Sequence, residues 1–287
     1  MRSALVTGAS TGIGRATALR LDAEGWRVFA GVRSEEDAEA LREAGSARLV
    51  PLNLDVTDPA QIVGATERIT GEVGGPGLHG LVNNAGVPSG GAVELLEVGD
   101  LRTTLEVNVV GQVAVTQALL PQIRAAHGRV VFVGSVSGRL APPFLAAYAA
   151  SKHAIEAVGD SLRAEMRPFG VEVAIVEPGA VKTPIWEKAR RVGADAIAAM
   201  SEEQRRLYGA QTEAITAAGL ANGERGVAPE KVAKAIAHAL GARRPRTRYV
   251  IGADARAQTL LRRLTPDRLR DCLVERMIRI TAKTAGR

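Results

Sequence analysis

Short apolar runs alternate with stretches of helical periodicity along most of the chain. Seven runs rich in valine and leucine are interpreted as strands: SALVTG, RVFAGV, RLVPLNLD, GLVNNAG, RVVFVGS, VEVAIVEPG and RYVIGAD. Several of them are apolar at consecutive positions, which is typical of parallel strands that are buried on both faces. We therefore expect one parallel sheet with helices covering both of its sides.

Three Xaa-Pro pairs mark the starts of helices. Asp58-Pro59, Ala228-Pro229 and Thr265-Pro266 place proline at the first helical position, where its missing N–H would have no partner. Residues 184–227 show no strand pattern and are rich in Ala, Glu and Arg, so they are predicted to be helices inserted before the last strand, either as a lid or as packing elements. The predicted organisation is one domain over residues 1–253, with residues 254–287 as an extension of it.

Composition places the chain among ordinary globular proteins, since 46% of its 287 residues are hydrophobic and 24% are charged. The net charge of +6 is uneven, because residues 242–287 hold 13 Arg and Lys against 4 Asp and Glu. The extension is therefore basic and amphipathic, and the net charge says little about the body. Cys272 is the single cysteine and excludes an internal disulfide. No secretory pattern or apolar run of about 18 residues is visible, so a cytoplasmic location is expected.

The first predicted strand leads into TGASTGIG, residues 7–14, and a helix is predicted from about Ile13 to Ala23. Glycines at 8, 12 and 14 allow a tight turn and a close backbone approach to a pyrophosphate, whose charge the helix N-terminus stabilises. A glycine-rich turn alone is a weak signal. Its position between a strand and a helix predicts a dinucleotide site.

The segment YAASK places Tyr148 and Lys152 four residues apart on a predicted helix, where such side chains are neighbours. A phenol with a pKa near ~10 exchanges protons poorly at neutral pH, and an adjacent ammonium would stabilise its anion. Ser135 follows a buried run and should lie at a strand's carboxyl end. Asn108 interrupts an apolar helical stretch and, as a buried amide, needs hydrogen-bond partners. None of the four histidines has partners at ligand spacing, so no metal site is expected.

Taken in order, several motifs together resemble those of the short-chain dehydrogenase/reductase family, in its single-domain branch. They are TGASTGIG at 7–14, LD at 54–55, NNAG at 83–86, Asn108, Ser135, YAASK at 148–152 and PGAVKT at 178–183. The match is dense over about residues 3–183. A looser resemblance, in GWRVFAGVR and the long C-terminal segment, is to the retinol and steroid dehydrogenases. The resemblance implies a Rossmann-type doubly wound α/β sheet of order 3-2-1-4-5-6-7, with a helical C-terminal extension.

The resemblance also implies an NAD(P)-dependent oxidoreductase that interconverts an alcohol and a ketone or aldehyde. Tyr148 would be its general acid/base, and Lys152 would also bind the nicotinamide ribose. Ser135, thirteen residues before the tyrosine, would orient the substrate oxygen in preference to Ser137. Asn108 would hold a water that relays protons from Lys152 to solvent, or would only bend its helix.

The same resemblance implies a set of cofactor contacts. Asp55 would meet the adenine amine, Asn83 and Gly86 the adenosine ribose, and Thr183 the nicotinamide carboxamide. The expected cofactor-binding residues are Gly8, Ser10, Thr11, Gly12, Ile13, Gly14, Arg33, Ser34, Asp55, Val56, Asn83, Ala85, Gly86, Tyr148, Lys152, Pro178, Gly179, Val181 and Thr183. Val32 stands where NAD-preferring relatives carry an acid, and Arg33 and Ser34 follow it, so NADP(H) is expected over NAD(H), which stays possible.

The substrate and the partners are less determined. Apolar residues near the catalytic positions (Val136, Leu140, Phe144, Ile185, Trp186) suggest a hydrophobic substrate, although packing would explain them equally. A homodimer or homotetramer is expected. The basic extension is predicted to pack over the body by Leu260, Leu261, Leu264, Leu269, Leu273 and Ile278, with contact to an anionic lipid surface as the alternative. Competing hypotheses are an epimerase or dehydratase, a cofactor-sensing scaffold, and a nucleic-acid binder using the tail, which lacks interleaved aromatics.

Overall fold

The structure is a computed structural model that describes residues 1–272 and 274–276. Its centre is a seven-stranded sheet of order β3-β2-β1-β4-β5-β6-β7, in which every neighbouring pair is parallel. The strands are β1 Ser3–Val6, β2 Arg27–Val32, β3 Leu49–Asn53, β4 Gly80–Asn83, β5 Arg129–Val133, β6 Glu172–Pro178 and β7 Arg248–Ile251. The predicted fold class, strand number and strand order are confirmed.

Helices follow the strands and cover both faces of the sheet. They are α1 Gly12–Ala23, α2 Glu35–Ala44, α3 Pro59–Val73, α4 Val98–Leu105, α5 Gly111–Ala125, α6 Ala146–Met166, α7 Ile185–Ala199, α8 Glu202–Gln204, α9 Ala210–Arg225, α10 Pro229–Gly241 and α11 Ala253–Leu264. One buried core cluster joins Leu21 of α1 and Ile236 of α10 on one face. A second joins Leu119 of α5 and Ile155 of α6 on the other. The strands thus carry apolar side chains on both faces, and these side chains form two cores, one on each side of the sheet.

The prolines begin helices as predicted. Pro59 opens α3, and the Asp58 side chain accepts hydrogen bonds from the amides of Ala60 and Gln61. Pro229 opens α10 in the same position. Residues 267–272, directly after Pro266, are also helical. The segment before β7 is helical from Ile185 onward, as the absence of a strand pattern predicted.

A π-helix at Glu106–Val110 joins α4 to α5 and carries Asn108 at its centre. Single π-turns inside longer helices are rare and often occur at functional sites, because the extra residue turns a side chain out of the regular register. Here the turned side chain is Asn108, which is fully buried. A second π-helix, Arg205–Gly209, lies between α8 and α9.

The C-terminal extension differs from the sequence prediction. Four of the leucines that were expected to pack on the body are exposed by 37% to 72%, namely Leu260, Leu261, Leu264 and Leu269. The predicted packing is therefore wrong for these four, and Leu273 and Ile278 lie outside the described residues. The extension contacts the body through the buried Ala255 and through polar groups, since the Asp254 carboxylate accepts a hydrogen bond from the Ala180 amide and the Arg262 guanidinium contacts the Arg139 carbonyl oxygen.

Candidate active site

The predicted site residues meet at the carboxyl edge of the sheet. Parallel strands all end on the same side, so the loops after β1, β4, β5 and β6 are brought together although they are distant in the sequence. The glycine-rich turn follows β1, Ser135 follows β5, and residues 178–183 follow β6. The open edge between these loops is where ligands bind in sheets of this kind.

The turn after β1 is shaped by its glycines. Gly8 and Gly12 have φ angles of +62° and +55°, a region that other residues rarely adopt. A β-carbon on Gly14 would lie 2.1 Å from the carbonyl oxygen of Gly8, and one on Gly12 would lie 2.9 Å from the Thr183 methyl. The glycines thus let α1 and the loop after β6 close on the same turn.

The N-terminus of α1 suits an anionic group. Among the described residues, the Thr11 side chain makes no capping hydrogen bond to the first turn of α1. The first amides of the helix therefore point toward the turn without a side-chain partner, as in pyrophosphate sites. The residues present fit a dinucleotide, with the turn around Gly8 to Gly14 holding its phosphates.

Asn84 and Thr7 support this turn, and the sequence analysis, which included both in its motifs, gave neither of them a role. The Asn84 side-chain amide donates to the carbonyl oxygens of Thr7 and Gly8, at 2.9 and 3.0 Å. The Thr7 hydroxyl accepts hydrogen bonds from the Asn84 and Ala85 amides. These bonds tie the end of β1 to the end of β4, a pairing that only the strand order reveals.

Tyr148 and Lys152 lie in the first two turns of α6, as their spacing predicted. The Lys152 ammonium nitrogen is 5.7 Å from the centre of the Tyr148 ring and donates a 2.9 Å hydrogen bond to the Val133 carbonyl oxygen at the end of β5. Lys152 is only 5% exposed. Helix α6 begins directly after Phe144 and Leu145, and Phe144 holds a φ of +64° while its carbonyl accepts a 2.7 Å bond from the Gly91 amide. Such strain in a bulky residue is concentrated at functional sites.

Removal from water governs the protonation of this pair, in which Lys152 is buried and Tyr148 is half-buried. This removal raises the pKa of Tyr148 above its ordinary value, and the Ser135 hydroxyl partly offsets that effect. It also lowers the pKa of Lys152 to about 8, against the charge of Glu156, which raises it. The expected stabilisation of the phenolate by the Lys152 ammonium is not among the causes of the shift in the Tyr148 pKa and stays a prediction. At neutral pH the phenol is protonated and can donate a proton.

Ser135 lies at the end of β5, where the sequence predicted it. It is 8% exposed and forms the N-cap of a short 3-10 helix, Val136–Gly138, through a 3.1 Å bond from the Ser137 amide to its hydroxyl. The same hydroxyl influences the pKa of Tyr148. Ser135, and not Ser137, is thus the serine associated with the tyrosine.

Both polar atoms of the Asn108 side-chain amide form hydrogen bonds within the protein. Its oxygen accepts from the Val87 amide at 2.8 Å, and its nitrogen donates to the Val87 carbonyl oxygen at 3.1 Å and to the Ser151 hydroxyl at 3.0 Å. Asn108 therefore joins the segment after β4 to helix α6, between Tyr148 and Lys152. Its expected role in holding a water stays a prediction.

The residues expected around the adenosine are placed unevenly. Gly86 lies beside Asn108, since a β-carbon on it would be 3.2 Å from the Asn108 amide oxygen. Asn83 is fully buried, its side-chain nitrogen donates to the Thr116 hydroxyl of α5 at 2.8 Å, and its side-chain oxygen has no hydrogen-bond partner among the described residues. Burial favours a higher pKa for Asp55, but hydrogen bonds from Thr57 and the Arg33 charge hold that pKa below its usual range.

Arg33 and Ser34 follow β2 as predicted, but the Arg33 side chain is exposed whereas the Ser34 hydroxyl is hydrogen-bonded within the protein. The Arg33 side chain is 65% exposed and lies 3.8 Å from the Asp55 carboxylate. The Ser34 hydroxyl caps α2, accepting from the Asp37 amide at 3.2 Å and donating to the Asp37 carboxylate at 2.8 Å. Ser34 is thus occupied as a helix cap, and Arg33 is the available cation.

The helices before β7 reach across the loops of the site. The Trp186 indole donates to the Val181 carbonyl oxygen at 2.7 Å, and a β-carbon on Gly223 would lie 2.5 Å from the same ring. Trp186 therefore packs between α9 and the loop after β6. The Tyr208 hydroxyl of the second π-helix donates to the Glu94 carboxylate, which belongs to the segment after β4.

A doubly wound parallel sheet with a phosphate-binding turn and a tyrosine–lysine pair on one helix defines a class of nicotinamide-dependent oxidoreductases. The family model for short chain dehydrogenases matches residues 2–192. The chain therefore belongs to the short-chain dehydrogenase family. It is an NAD(P)-dependent oxidoreductase that interconverts an alcohol and a carbonyl compound.

Known relatives cover nearly the whole chain. Retinol dehydrogenase 5 of Mus musculus is 40% identical over 278 residues, or 94% of this chain and 86% of the relative. An NADPH-dependent 3-dehydrocapnine reductase of Ornithobacterium rhinotracheale is 37% identical over 276 residues, or 94% and 95%. The solved structure of a short-chain dehydrogenase from Streptomyces avermitilis superposes with a TM-score of 0.77 at 30% identity, covering 96% of this chain and 95% of that one. The scaffold, nucleic-acid and epimerase hypotheses are not favoured by these findings.

Proposed function

We propose that Tyr148 exchanges the proton of the substrate oxygen, that Ser135 orients this oxygen, and that Lys152 supports both the phenol and the cofactor ribose. The observation that carries the proposal is the buried Lys152 ammonium beside the Tyr148 ring, with Ser135 close enough to shift the tyrosine's pKa. When bound, the nicotinamide supplies or accepts the hydride. A protonated phenol can donate to a carbonyl oxygen, and its anion can accept from an alcohol.

NADP(H) is the proposed cofactor in preference to NAD(H). Support comes from Arg33, whose exposed guanidinium directly follows β2, where Val32 takes the position of an acid, and from the relative named as NADPH-dependent. Arg33 is the proposed contact for the 2′-phosphate of NADP(H), because the Ser34 hydroxyl caps helix α2. The remaining cofactor contacts follow the turn around Gly8 to Gly14 and residues 178–183.

Paired titrations of both cofactors on Arg33→Ala test this preference. We expect NADP(H) binding to weaken by ~1.5–3 kcal/mol, the range for a hydrogen bond to a charged group, with little change for NAD(H). Arg68→Ala on α3, also exposed and ion-paired, is the matched control. Equal losses for both cofactors would remove the phosphate contact.

The proposed substrate is hydrophobic. Support comes from the apolar residues beside the catalytic positions, among which Leu140 and Phe144 are half-buried, and from the relatives named for retinol. Trp186 contributes less than the sequence suggested, because its ring packs against α9. A panel of ketones, aldehydes and alcohols, assayed by nicotinamide absorbance with each cofactor, tests the proposal. A preference for small hydrophilic substrates would overturn it.

The proposed organisation has residues 1–253 as the catalytic domain, with a lid at about 184–227 and residues 254–287 as its extension. The Tyr208 contact with Glu94 supports the lid, because it joins these helices to a loop of the site. A homodimer or homotetramer in the cytoplasm is the proposed state of the protein. No helix among the described residues is long and apolar enough to cross a membrane, and an anionic lipid surface remains the alternative partner of the extension.

A further inference from the structure

A partly buried ion cluster, whose two carboxylates are the buried members, lies beside the proposed catalytic residues of α6 and the Ser135 turn. It consists of Arg139, Glu156, Glu177 and Arg248, from the turn after β5, helix α6, β6 and β7. Arg139 binds Glu177 through two hydrogen bonds of 2.6 and 2.8 Å. Arg248 binds Glu156 at 3.1 Å and Glu177 at 3.2 Å. The exposed carboxylate of Asp160 binds Arg248 from the outside.

Burial makes this cluster costly to maintain. The Glu177 side chain is 0% exposed and that of Glu156 is 12% exposed. Well-packed apolar residues in place of buried ion pairs are often neutral or stabilising, because desolvation cancels most of the attraction. The cluster is therefore weak evidence for stability, and its geometry toward the catalytic residues is more informative.

The cluster is joined through Arg139 to the turn that carries Ser135, and this turn packs against α6. Arg139 follows the short helix that Ser135 caps, and its amide donates to the Val136 carbonyl oxygen. A β-carbon on Gly138 would lie 2.8 Å from the Lys152 carbonyl oxygen and 3.3 Å from the Glu156 Cγ. The turn that carries Ser135 is thus in contact with α6 at Lys152 and Glu156.

Glu156 also faces the strand end that binds Lys152. It follows Lys152 by one helical turn, so the two side chains are neighbours on α6. One carboxylate oxygen, Oε2, binds Arg248. The other, Oε1, is buried without a hydrogen-bond partner among the described residues, and a β-carbon on Gly134 would lie 3.2 Å from it. Gly134 lies between Ser135 and Val133, whose carbonyl oxygen accepts the hydrogen bond from the Lys152 ammonium.

We propose that Glu156 is a positioning residue that keeps the Lys152 side chain protonated in its buried position, while Arg139 and Arg248 fix the carboxylate and the Ser135 turn around it. The proposal deepens the proposed function, since it rests on the roles given to Ser135 and Lys152.

The groups that face this pair come from several elements. Lys152 faces Tyr148 and Glu156 on its own helix and the Val133 carbonyl of β5. Glu156 faces Arg139, Glu177 and Arg248. Burial and the Glu177 charge raise the pKa of Glu156 to about 7, against the two arginines. Above that pH the carboxylate is charged, and it raises the pKa of Lys152 against its burial.

Glu156→Gln in the full-length protein separates this role from packing. The titration of Lys152 is followed by NMR in the cofactor-free protein with 13Cε-labelled lysine, and Lys152→Met identifies its signal among the six lysines. We expect the midpoint in Glu156→Gln to fall by about one pH unit, the order expected when one neighbouring charge is removed. Glu165→Gln, the same change at an exposed position of α6 whose carboxylate is bound by Ser161, should leave the midpoint unchanged.

Glu156→Asp keeps the charge and is the conservative variant. It should restore a midpoint close to that of the wild type even if kcat falls, and it keeps the test available if Glu156→Gln does not fold. An unchanged midpoint in Glu156→Gln, or an equal shift in Glu165→Gln, would overturn the proposal. The pH profile of kcat/KM should lose activity on its basic side at lower pH in Glu156→Gln. A shifted midpoint with an unchanged profile would retain the electrostatic role and count against the catalytic role of Lys152.

Discussion

Among the residues of the site, Tyr148 is the one that carries the transferable proton of the proposed reaction, and it contributes little else. Replacing it with phenylalanine removes one hydroxyl, so we expect Tyr148→Phe to lower kcat by ~10²–10⁴-fold and to leave cofactor binding largely intact. Lys152→Ala should damage both. Steady-state kinetics and cofactor titration measure the two effects. Tyr249→Phe, whose hydroxyl is bound by Arg246 and His238 away from the site, is the control. Retention of more than roughly a tenth of kcat would remove Tyr148 from its role.

Lys152 is expected to reduce the stability of the cofactor-free protein. Its pKa is about 8 in the folded chain against an ordinary 10.5, so the folded state binds fewer protons and its stability rises with pH between these values. The difference corresponds to ~3 kcal/mol at neutral pH. Loss of the hydrogen bond to Val133 offsets about 1 kcal/mol.

We therefore expect Lys152→Met to raise the free energy of unfolding by ~2 kcal/mol at pH 7, while abolishing activity. The gain should shrink as pH rises from about 8 toward 10.5, because the wild-type ammonium then loses its charge. Urea unfolding of both proteins at several pH values measures it. A variant less stable than the wild type at pH 7 would show that the buried ammonium is better compensated than its pKa indicates.

Among the secondary-structure elements, those that depend on local pattern were predictable. Buried parallel strands are continuous apolar runs, so the run RVVFVGS predicted β5. The pair Asp58-Pro59 predicted the start of α3. The spacing of Tyr148 and Lys152 gave their shared helical face. The π-helix around Asn108 was visible only as a polar residue in an apolar stretch, because its extra residue has no separate sequence signal.

Contacts between distant elements could not be predicted from one sequence. Arg139 and Glu177 are 38 residues apart, and Arg248 and Glu156 are 92 apart, so their pairing depends on the arrangement of β5, β6 and β7. Ser34 was expected to be a phosphate ligand, which stays a prediction, and its helix-capping bond to Asp37 was not foreseen. The leucines of α11 had an amphipathic pattern, and a pattern alone does not state which surface covers it.

The close packing of helix α1 on the glycine-rich turn can be tested by a substitution at Gly14. Gly14→Ala would place a β-carbon 2.1 Å from the Gly8 carbonyl oxygen and 2.5 Å from the Asn84 amide nitrogen. The helix must then move from the turn, so we expect at least a tenfold loss of cofactor affinity, about 1.4 kcal/mol, measured by titration. Gly64→Ala in α3 meets no atom within 4 Å and should raise stability by about 0.5–1 kcal/mol without affecting cofactor binding.

At the scale of the whole molecule, charge and apolar surface are distributed differently. The excess positive charge lies in residues 242–287, beside exposed leucines of the extension. A second exposed apolar surface lies along α4 and the π-helix that follows it, where Val98 and Val110 are 58% and 49% exposed. Exposed apolar surface of this kind often marks a contact between protein chains.

Self-association through α4 and α5 is the expected use of this second surface, since a two-fold axis would pair the same helices of two copies and cover both valines at once. We expect sedimentation at micromolar concentration to give two or four times the 30.1 kDa mass of the chain. Val110→Glu should shift the protein toward the single chain, because a carboxylate would lose its hydration at the centre of the contact. Val63→Glu on α3, where the valine is 55% exposed, should leave the mass unchanged. A wild-type protein that sediments only as a single chain would reject the expectation, and equal effects of the two variants would place the contact elsewhere.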